Sequence, residues 1–193
     1  MDGRYTEADP VIRGLPDHFA RMLSDRAHTV CFTGHRSIPP ACANALRRDT
    51  AALIRSLYGE GYTLFLTGGA LGFDTLAAET LLTLKRECPS LFSVMIIPCE
   101  NQSSPWPPTA QERYLELVGA SDGCICLQKE YTADCMHRRN RFMVDHSSIC
   151  IAYFDGRPRG GTGATVRYAQ SAGVTVHNLY PAPNTVPQQI FFP

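Results

Sequence analysis

Six short apolar runs, separated by stretches with helical spacing, constrain the fold of this chain more than any other feature. The runs lie at 29–33, 62–67, 93–97, 123–127, 149–154 and 174–177, and most are apolar at nearly every position. Strands of that kind are typical of parallel sheets that carry helices on both faces. Their alternation with helical stretches predicts an α/β fold, a single Rossmann-like domain with a mainly parallel sheet.

Five helices are predicted between these runs. The third should start at Thr109, because the sequence from Thr109 to Glu112 has the form of a capping box. Apolar periodicity, prolines and glycines place the five helices from Pro39 or Pro40 to Gly59, over 72–86, from Thr109 onward, over 134–146 and over 163–172.

Length and charge limit the classes of function. The chain has 193 residues, 44% of them hydrophobic, which suffices for one domain with a full core. We expect this domain at 29–178, an N-terminal extension at 1–28 and a C-terminal tail at 179–193. Eighteen basic residues balance eighteen acidic ones, which argues against a strong nucleic-acid partner without excluding one.

Neither a membrane nor a metal partner is expected. No apolar stretch approaches the length of a bilayer span, and residues 1–9 lack the features of a secretory signal, so a cytoplasmic location is predicted. The eight cysteines form no CxxC pair and have no matching histidine spacing, so we predict free thiols. The four in strand-like runs should be small buried hydrophobes, namely Cys31, Cys124, Cys126 and Cys150.

The first candidate loop, Thr33-Gly34-His35-Arg36, follows the first apolar run. Glycine lets a ligand approach the backbone, Thr33 offers a hydroxyl, and Arg36 has a planar donor fork suited to phosphate. His35 is a general-base candidate because its pKa lies near neutrality. A strand-ending turn with a solvated arginine is the alternative.

The second loop runs from Thr67 to Asp74 and opens a helix, with Gly68, Gly69, Ala70 and Gly72 between them. A helix N-terminus with unpaired amides binds anions, so these glycines predict an anion cradle, although they form neither a Walker loop nor the GxGxxG fingerprint. Asp74 could contact a ribose or base, or could simply favour the helix dipole. Glu79 follows five positions later, rotated by roughly 140°, so the two carboxylates should not share a face.

The third loop lies between the fifth apolar run and the last helix and forms a second cradle. The carboxyl ends of parallel strands meet at one edge of a sheet, so the three loops should converge on one ligand. From the third loop and the preceding helix, the candidate ligand contacts are Asp155, Gly160, Gly161, Thr162, Thr165, Arg139 and Asn140. Catalytic residues are not assigned, with His35, Asp74 and Glu79 as the candidates.

Together these motifs resemble the SLOG superfamily, and within it the YpsA-like branch related to DprA and to the LOG phosphoribohydrolases. The resemblance covers about residues 29–176. It rests on the stretch from Cys31 to Arg36, the glycine and aspartate motif at 67–78, and the later segments 140–144, 152–155 and 160–162.

The resemblance implies a Rossmann-like sheet and a nucleotide-type ligand on Gly34, Arg36, Gly68, Gly69, Asp74, Gly160, Gly161 and Thr162. LOG enzymes cleave nucleoside monophosphates and carry a PGGxGTxxE motif. Here the matching stretch runs from Arg159 to Arg167, with arginine in place of the glutamate. The departure argues against glycosidic cleavage by the same mechanism.

Three functions follow as hypotheses. The favoured one is binding or sensing of a nucleotide-derived ligand of the ADP-ribose kind, with no cofactor assigned and a homo-oligomer possible. The second is hydrolysis of a nucleotide at an N-glycosidic or phosphate bond. The third is a DprA-like module for single-stranded DNA, which would use the basic cluster from Arg138 to Arg141.

Overall fold

Six parallel strands form one sheet in the computed structural model, which describes residues 17–181. All neighbouring strands are parallel, as the sequence predicts. The strands are β1 (Thr29–Gly34), β2 (Leu64–Thr67), β3 (Phe92–Ile97), β4 (Gly123–Cys126), β5 (Ile149–Tyr153) and β6 (Thr175–Asn178). The predicted α/β fold of Rossmann-like type is therefore confirmed.

Six α-helices lie within the described residues. They are α1 (Asp17–Ser24), α2 (Pro40–Gly59), α3 (Phe73–Leu84), α4 (Pro108–Ala120), α5 (Cys135–Asp145) and α6 (Gly161–Ser171). Five of them match the predicted helices. Helix α1 was not predicted, and its Leu23 is buried against the sheet. The expected extension and tail fall partly at 1–16 and 182–193, which lie outside the described residues.

The core has two layers, one on each face of the sheet. Helices α2 and α3 cover one face, where Phe32, Phe65 and Phe73 pack together. On the other face, Cys31 packs in the cluster that contains Phe142 of α5. Adjacent residues of a strand point to opposite faces, so β1 contributes to both layers.

The strand order is β4-β3-β2-β1-β5-β6. The chain moves outward from β1 to β4, then returns to place β5 and β6 on the other side of β1. The connections that leave β1 and β5 therefore run in opposite directions and leave a crevice beyond their carboxyl ends. In the β1–β5 register, Gly34 lies opposite Tyr153 at this end.

The predicted capping box is wrong. Helix α4 begins at Pro108 with Pro107 as its N-cap, and it has no side-chain cap hydrogen bond. Because proline presets the backbone for a first helical turn, the helix starts one residue early and Thr109 lies inside it. The Gln111 side chain donates instead to the Trp106 carbonyl, at 2.8 Å.

The cysteine prediction holds for the central strands and fails at the edge. Cys31 and Cys150 are buried and lie opposite each other in the β1–β5 register. Cys124 is exposed and Cys126 is half-buried, because β4 is an edge strand with less cover.

Residues 17–181 contain neither a metal-binding cluster nor a membrane-spanning helix. No three side chains of histidine, cysteine, aspartate or glutamate come together there in a way that could hold a metal ion. No helix in that part of the chain is both long and apolar enough to cross a membrane.

Candidate anion-binding site

A cavity of about 360 Å³ lies in the crevice beyond β1 and β5. Eleven of the predicted ligand contacts line it, drawn from all three loops and from α5. They are Thr33, Gly34, His35, Arg36, Ala70, Asp74, Arg139, Asn140, Gly160, Gly161 and Thr162. Met136, His137 and Arg159 complete the lining and were not predicted.

The lining is cationic although the whole chain has no net charge. Three arginines, Arg36, Arg139 and Arg159, stand against one carboxylate, Asp74, which leaves +2 with the histidines neutral. Within residues 17–181, Arg36 and Arg159 form no salt bridge. Their guanidinium donors therefore remain for a ligand, and the cavity favours an anion.

Asp74 and Arg139 form an ion pair at the base of the cavity. The Asp74 carboxylate lies 3.6 Å from the Arg139 guanidinium, and both residues are about 95% buried. Burial raises the pKa of Asp74, and the charge of Arg139 and the Ala70 amide oppose that rise. Ionisable groups perturbed in this way are concentrated at functional sites.

Gly68 makes room for this pair. The Arg139 guanidinium donates a hydrogen bond to the Gly68 carbonyl. A Cβ atom at position 68 would overlap the guanidinium and would lie 2.6 Å from the Asp74 carboxylate. Gly68 therefore permits the close approach of Arg139, and it does not line the cavity itself.

Gly72 and Gly34 join two of the loops in a similar way. Gly72 has a φ of 83°, and a Cβ there would meet the backbone of His35 and Arg36. The Phe73 amide donates to the His35 carbonyl at 3.1 Å, and a Cβ at Gly34 would meet the Phe73 side chain. These glycines hold the first loop against the start of α3, and Gly72 does not line the cavity.

Gly69 also lies outside the cavity lining. Its φ is 62°, and its carbonyl accepts a hydrogen bond from the buried Gln102 side chain at 3.2 Å. Gln102 comes from the loop after β3, which packs beneath the second glycine loop. The predicted contacts of Gly68, Gly69 and Gly72 with a ligand remain predictions, whereas their packing roles are observed.

The N-terminus of α6 contributes backbone donors to the cavity. The helix begins at Gly161, two residues before the predicted start, with Gly160 as N-cap at a φ of 101°. It has no side-chain cap hydrogen bond and no acidic residue in its first turn. Gly161 and Thr162 line the cavity, so an anion there would meet the unpaired amides of this turn.

His35 has a carboxylate partner that the sequence did not reveal. Its Nε2 atom lies 3.1 Å from Oδ1 of Asp155, and the Asp155 backbone amide donates to the same nitrogen at 3.0 Å. The Arg157 backbone amide, which donates to the Asp155 carboxylate, is the main cause of a lowered Asp155 pKa. Asp155 thus orients the His35 ring from outside the cavity lining.

Glu79 lies away from the cavity, although it was a candidate acid or base. Its carboxylate forms salt bridges with Arg47 at 2.7 Å and with Arg113 at 2.6 Å, between α2 and α4. The expectation that Asp74 and Glu79 would not share a helix face agrees with this placement.

The residues of the basic cluster, Arg138 to Arg141, point in different directions because successive residues are rotated around the axis of α5. Arg139 and Asn140 face the cavity, whereas Arg138 donates to the Gln128 side chain and Arg141 lies over the Tyr168 ring. Thr165 is buried beside Asn140 and does not line the cavity. Arg167, at the LOG glutamate position, donates to the Pro158 carbonyl at 2.9 Å.

Fold and site together define a Rossmann-like protein with a cationic cavity at the switch point of its sheet. A comparison with protein families supports this class: the model of the YspA SLOG family (YpsA) matches residues 42–180. The chain belongs to the YspA SLOG family, which confirms the resemblance to the YpsA-like branch.

Several bacterial proteins are similar in sequence. The SPbeta prophage-derived protein YoqJ of Bacillus subtilis (strain 168) is 28% identical over 131 residues, which are 61% of this chain and 76% of YoqJ. A UPF0398 protein of Oceanobacillus iheyensis is 27% identical over 139 residues, covering 71% of this chain and 73% of the relative. A UPF0398 protein of Brevibacillus brevis is 37% identical over 118 residues, covering 60% and 61%.

Two solved structures share the fold at low sequence identity. DNA processing protein A (DprA) of Streptococcus pneumoniae has a TM-score of 0.63 at 16% identity, over 94% of this chain and 64% of that chain. The Helicobacter pylori protein, whose structure describes a single-stranded DNA binding mode, has a TM-score of 0.58 at 22% identity, over 85% of this chain and 70% of that chain. The likeness concerns the fold alone.

Proposed function

We propose that this protein binds a small nucleotide-derived ligand that carries phosphate, of the ADP-ribose kind, in the cavity between β1 and β5. The observation that carries the proposal is the charge of the cavity lining, where three arginines and only one carboxylate surround the unpaired amides at the N-terminus of α6. Backbone amides at a helix N-terminus and planar guanidinium groups are the usual ligands of phosphate.

The size and position of the cavity support a ligand of nucleotide size. Small-molecule sites typically enclose about 300–1,000 Å³, and this cavity is at the lower end of that range. Its place at the switch point is where open parallel sheets bind nucleotides. Asp74 would accept hydrogen bonds from ligand hydroxyls, the role that carboxylates have toward ribose in dinucleotide-binding folds.

Binding without LOG-type cleavage is favoured by the positions of the acidic groups. Arg167, in place of the LOG glutamate, is held by the Pro158 carbonyl. Asp74 is paired with Arg139, and Glu79 is occupied by two arginines outside the cavity. Among the lining residues, no second carboxylate is present to work with Asp74.

Calorimetry tests the proposal directly. The full chain would be titrated with AMP, ADP, ADP-ribose, inorganic pyrophosphate and a short single-stranded thymidine oligonucleotide. We expect binding of at least one nucleotide, weakened by about tenfold or more in Arg36→Ala, since charged hydrogen bonds contribute about 1.5–3 kcal/mol. Arg48→Ala, on the exposed surface of α2, is the matched control and should bind as the wild type does.

Failure of every nucleotide to bind folded protein would overturn the proposal. Equal weakening in the Arg36 and Arg48 variants would place the binding elsewhere. Tight binding of the oligonucleotide alone would favour the single-stranded DNA alternative.

Nucleotide hydrolysis is a second candidate function, favoured by the contact between His35 and Asp155. In a base held by a carboxylate, one ring nitrogen donates its proton to the carboxylate and the other takes the substrate proton. Here that requires Nε2–H toward Asp155 Oδ1, in place of the bond from the Asp155 amide, and Nδ1 as the base. His35 lines the cavity, so its ring could take a proton from a water molecule that attacks a bound phosphate or glycosidic bond.

Product analysis distinguishes hydrolysis from binding. The nucleotides above would be incubated with wild-type protein and with His35→Ala and Asp155→Asn. Turnover that is lost in the first variant and reduced in the second supports the candidate. Turnover that persists in both variants would remove His35 as the base. If wild-type protein shows no turnover, hydrolysis is rejected and binding stays the proposed function.

A further inference from the structure

Asn140 connects two parts of the cavity wall through both ends of its side-chain amide. Its Oδ1 accepts a hydrogen bond from Nε of Arg139 at 2.8 Å, and its Nδ2 donates to Oγ1 of Thr165 at 2.8 Å. The Thr165 hydroxyl donates in turn to the Gly161 carbonyl at 2.9 Å. The result is an unbroken path from Arg139 in α5 to the first residue of α6.

The donors and acceptors along this path fit in only one direction. Nε of Arg139 can only donate, so it requires the oxygen of the Asn140 amide and turns the nitrogen toward Thr165. Thr165 then accepts one hydrogen bond and donates its own proton. Hydrogen bonds that follow one another in this way strengthen each other in a buried setting, and Thr165 is 96% buried.

Both ends of the path belong to the anion site. At one end, the Arg139 guanidinium also holds the Gly68 carbonyl and faces Asp74. At the other end lie Gly161 and the free amides of the α6 N-terminus. These two groups of donors come from different helices, and a ligand phosphate between them requires a fixed separation.

We propose that Thr165 is a positioning residue that, through Asn140, sets the Arg139 guanidinium and the α6 N-terminus in one rigid arrangement for an anionic ligand. This inference rests on the proposed function of the cavity. Thr165 does not line the cavity, so its predicted role as a direct ligand contact is replaced in this proposal by an indirect one. Its effect is on the geometry of the groups that line the cavity.

If Thr165 had a purely structural role, its replacement would change only the stability of the protein. The test therefore needs a second buried threonine as a control for stability. Thr50 in α2 is fully buried, and its hydroxyl donates to the Leu46 carbonyl four residues earlier, at 2.7 Å. The Thr165 hydroxyl makes the same kind of bond, but it also receives Asn140. Thr165→Val and Thr50→Val therefore remove equivalent groups, and Thr165→Ser retains the hydroxyl.

Two measurements on the full chain separate the possibilities. The first, on ligand-free protein, is hydrogen exchange of the Arg139 Nε–H and of the Gly161 to Gly163 amides by NMR. The second is affinity for ADP-ribose and for inorganic pyrophosphate by calorimetry. In Thr165→Val we expect faster exchange at Arg139 and about tenfold weaker binding, the scale of one buried hydrogen bond.

Thr165→Ser should behave as the wild type, and Thr50→Val should lower the melting temperature without either effect. Unchanged Arg139 exchange in Thr165→Val, or the same changes in Thr50→Val, would overturn the inference. If neither these probes nor AMP or ADP bind wild-type protein, the proposed function fails, while the exchange of Arg139 still decides whether Thr165 restrains it.

Discussion

The Asp74 carboxylate and the Arg139 guanidinium lie 3.6 Å apart in a part of the protein that is almost closed to solvent. The raised pKa of Asp74 means that its burial opposes the charged form more than Arg139 favours it. The desolvation cost of a buried ion pair of this kind offsets much of its Coulombic gain, and its place in the cavity lining makes it a candidate for ligand binding.

Replacement of Asp74 by asparagine should therefore change stability in a pH-dependent way. Because its pKa is raised in the folded protein, the contribution of Asp74 is full below the ordinary value of 3.8 and is lost as the pH rises through the raised pKa. In Asp74→Asn this pH-dependent loss is absent, so the stability of the variant relative to the wild type should rise as the pH passes through the raised pKa, although Arg139 loses its charged partner. Urea unfolding of both proteins across the pH range measures the difference in their free energies of unfolding. A variant that loses stability relative to the wild type as the pH rises above 3.8 would contradict the prediction.

The same replacement should separate ligand classes. Asp74 is the only carboxylate among the lining residues, so its removal favours pure anions. We expect inorganic pyrophosphate to bind Asp74→Asn roughly fivefold more tightly, the effect of about 1 kcal/mol between nearby charges. ADP-ribose should gain less or bind more weakly, because its hydroxyls lose a charged acceptor. An unchanged ratio of the two affinities, by calorimetry, would show that Asp74 faces no ligand.

Gly68→Ala should destabilise the protein through steric overlap. The new methyl group would displace the Arg139 guanidinium, with an expected loss of about 1–3 kcal/mol in the free energy of unfolding. Gly161→Ala is the matched control, because a Cβ there meets no atom within 4 Å, and it should be at least as stable as the wild type. Chemical denaturation compares the two, and a stable Gly68 variant would mean that Arg139 can move aside.

Thr162→Glu should move stability and binding in opposite directions. A carboxylate in the first turn of α6 fills a position where no acidic residue stands and should stabilise the helix by about 0.3–1 kcal/mol. It would also compete with a ligand anion for the same amides, with a loss of about tenfold or more in affinity. Thr162→Gln controls for size and should leave both quantities near wild type. Full affinity in the glutamate variant would place the ligand elsewhere.

Asp155 should stabilise the folded protein at neutral pH and lose this effect in acid, the reverse of the pH dependence of Asp74. Its pKa is lowered in the folded protein, so its contribution is present above 3.8 and is lost as the pH falls through the lowered pKa. Asp155→Asn should therefore unfold with a smaller loss of stability between neutral and acidic pH. Parallel acid titrations of wild type and variant, followed by circular dichroism, measure this, and identical midpoints would contradict it.

The strands and the convergence of the three loops were predictable because apolar runs and glycines are local signals. The β1, β2 and β5 runs each end at a loop that was predicted to carry ligand contacts, and parallel pairing alone brings those ends together. Helix α5 was predicted within one residue at each end, so Arg139 and Asn140 were correctly assigned to this helix.

The partners of those residues were not predictable, because they depend on packing between distant segments. His35 and Asp155 are 120 positions apart and meet only through the β1–β5 pairing. The glycines of the second loop have the composition of an anion cradle, but neighbouring side chains occupy the space beside Gly68 and Gly69. Arg159 precedes a glycine-rich helix start, a signal that could have identified it, whereas nothing in the sequence distinguishes His137.

The space that Gly68 leaves free has a consequence for how chains of this family can diverge. The Arg139 side chain fills that space, so a Cβ at position 68 would force the guanidinium of an arginine at position 139 out of its place. A descendant chain could lose the arginine first and the glycine afterwards, but the reverse order passes through a strained protein. We expect the two positions to co-vary among relatives, with glycine retained wherever the arginine persists.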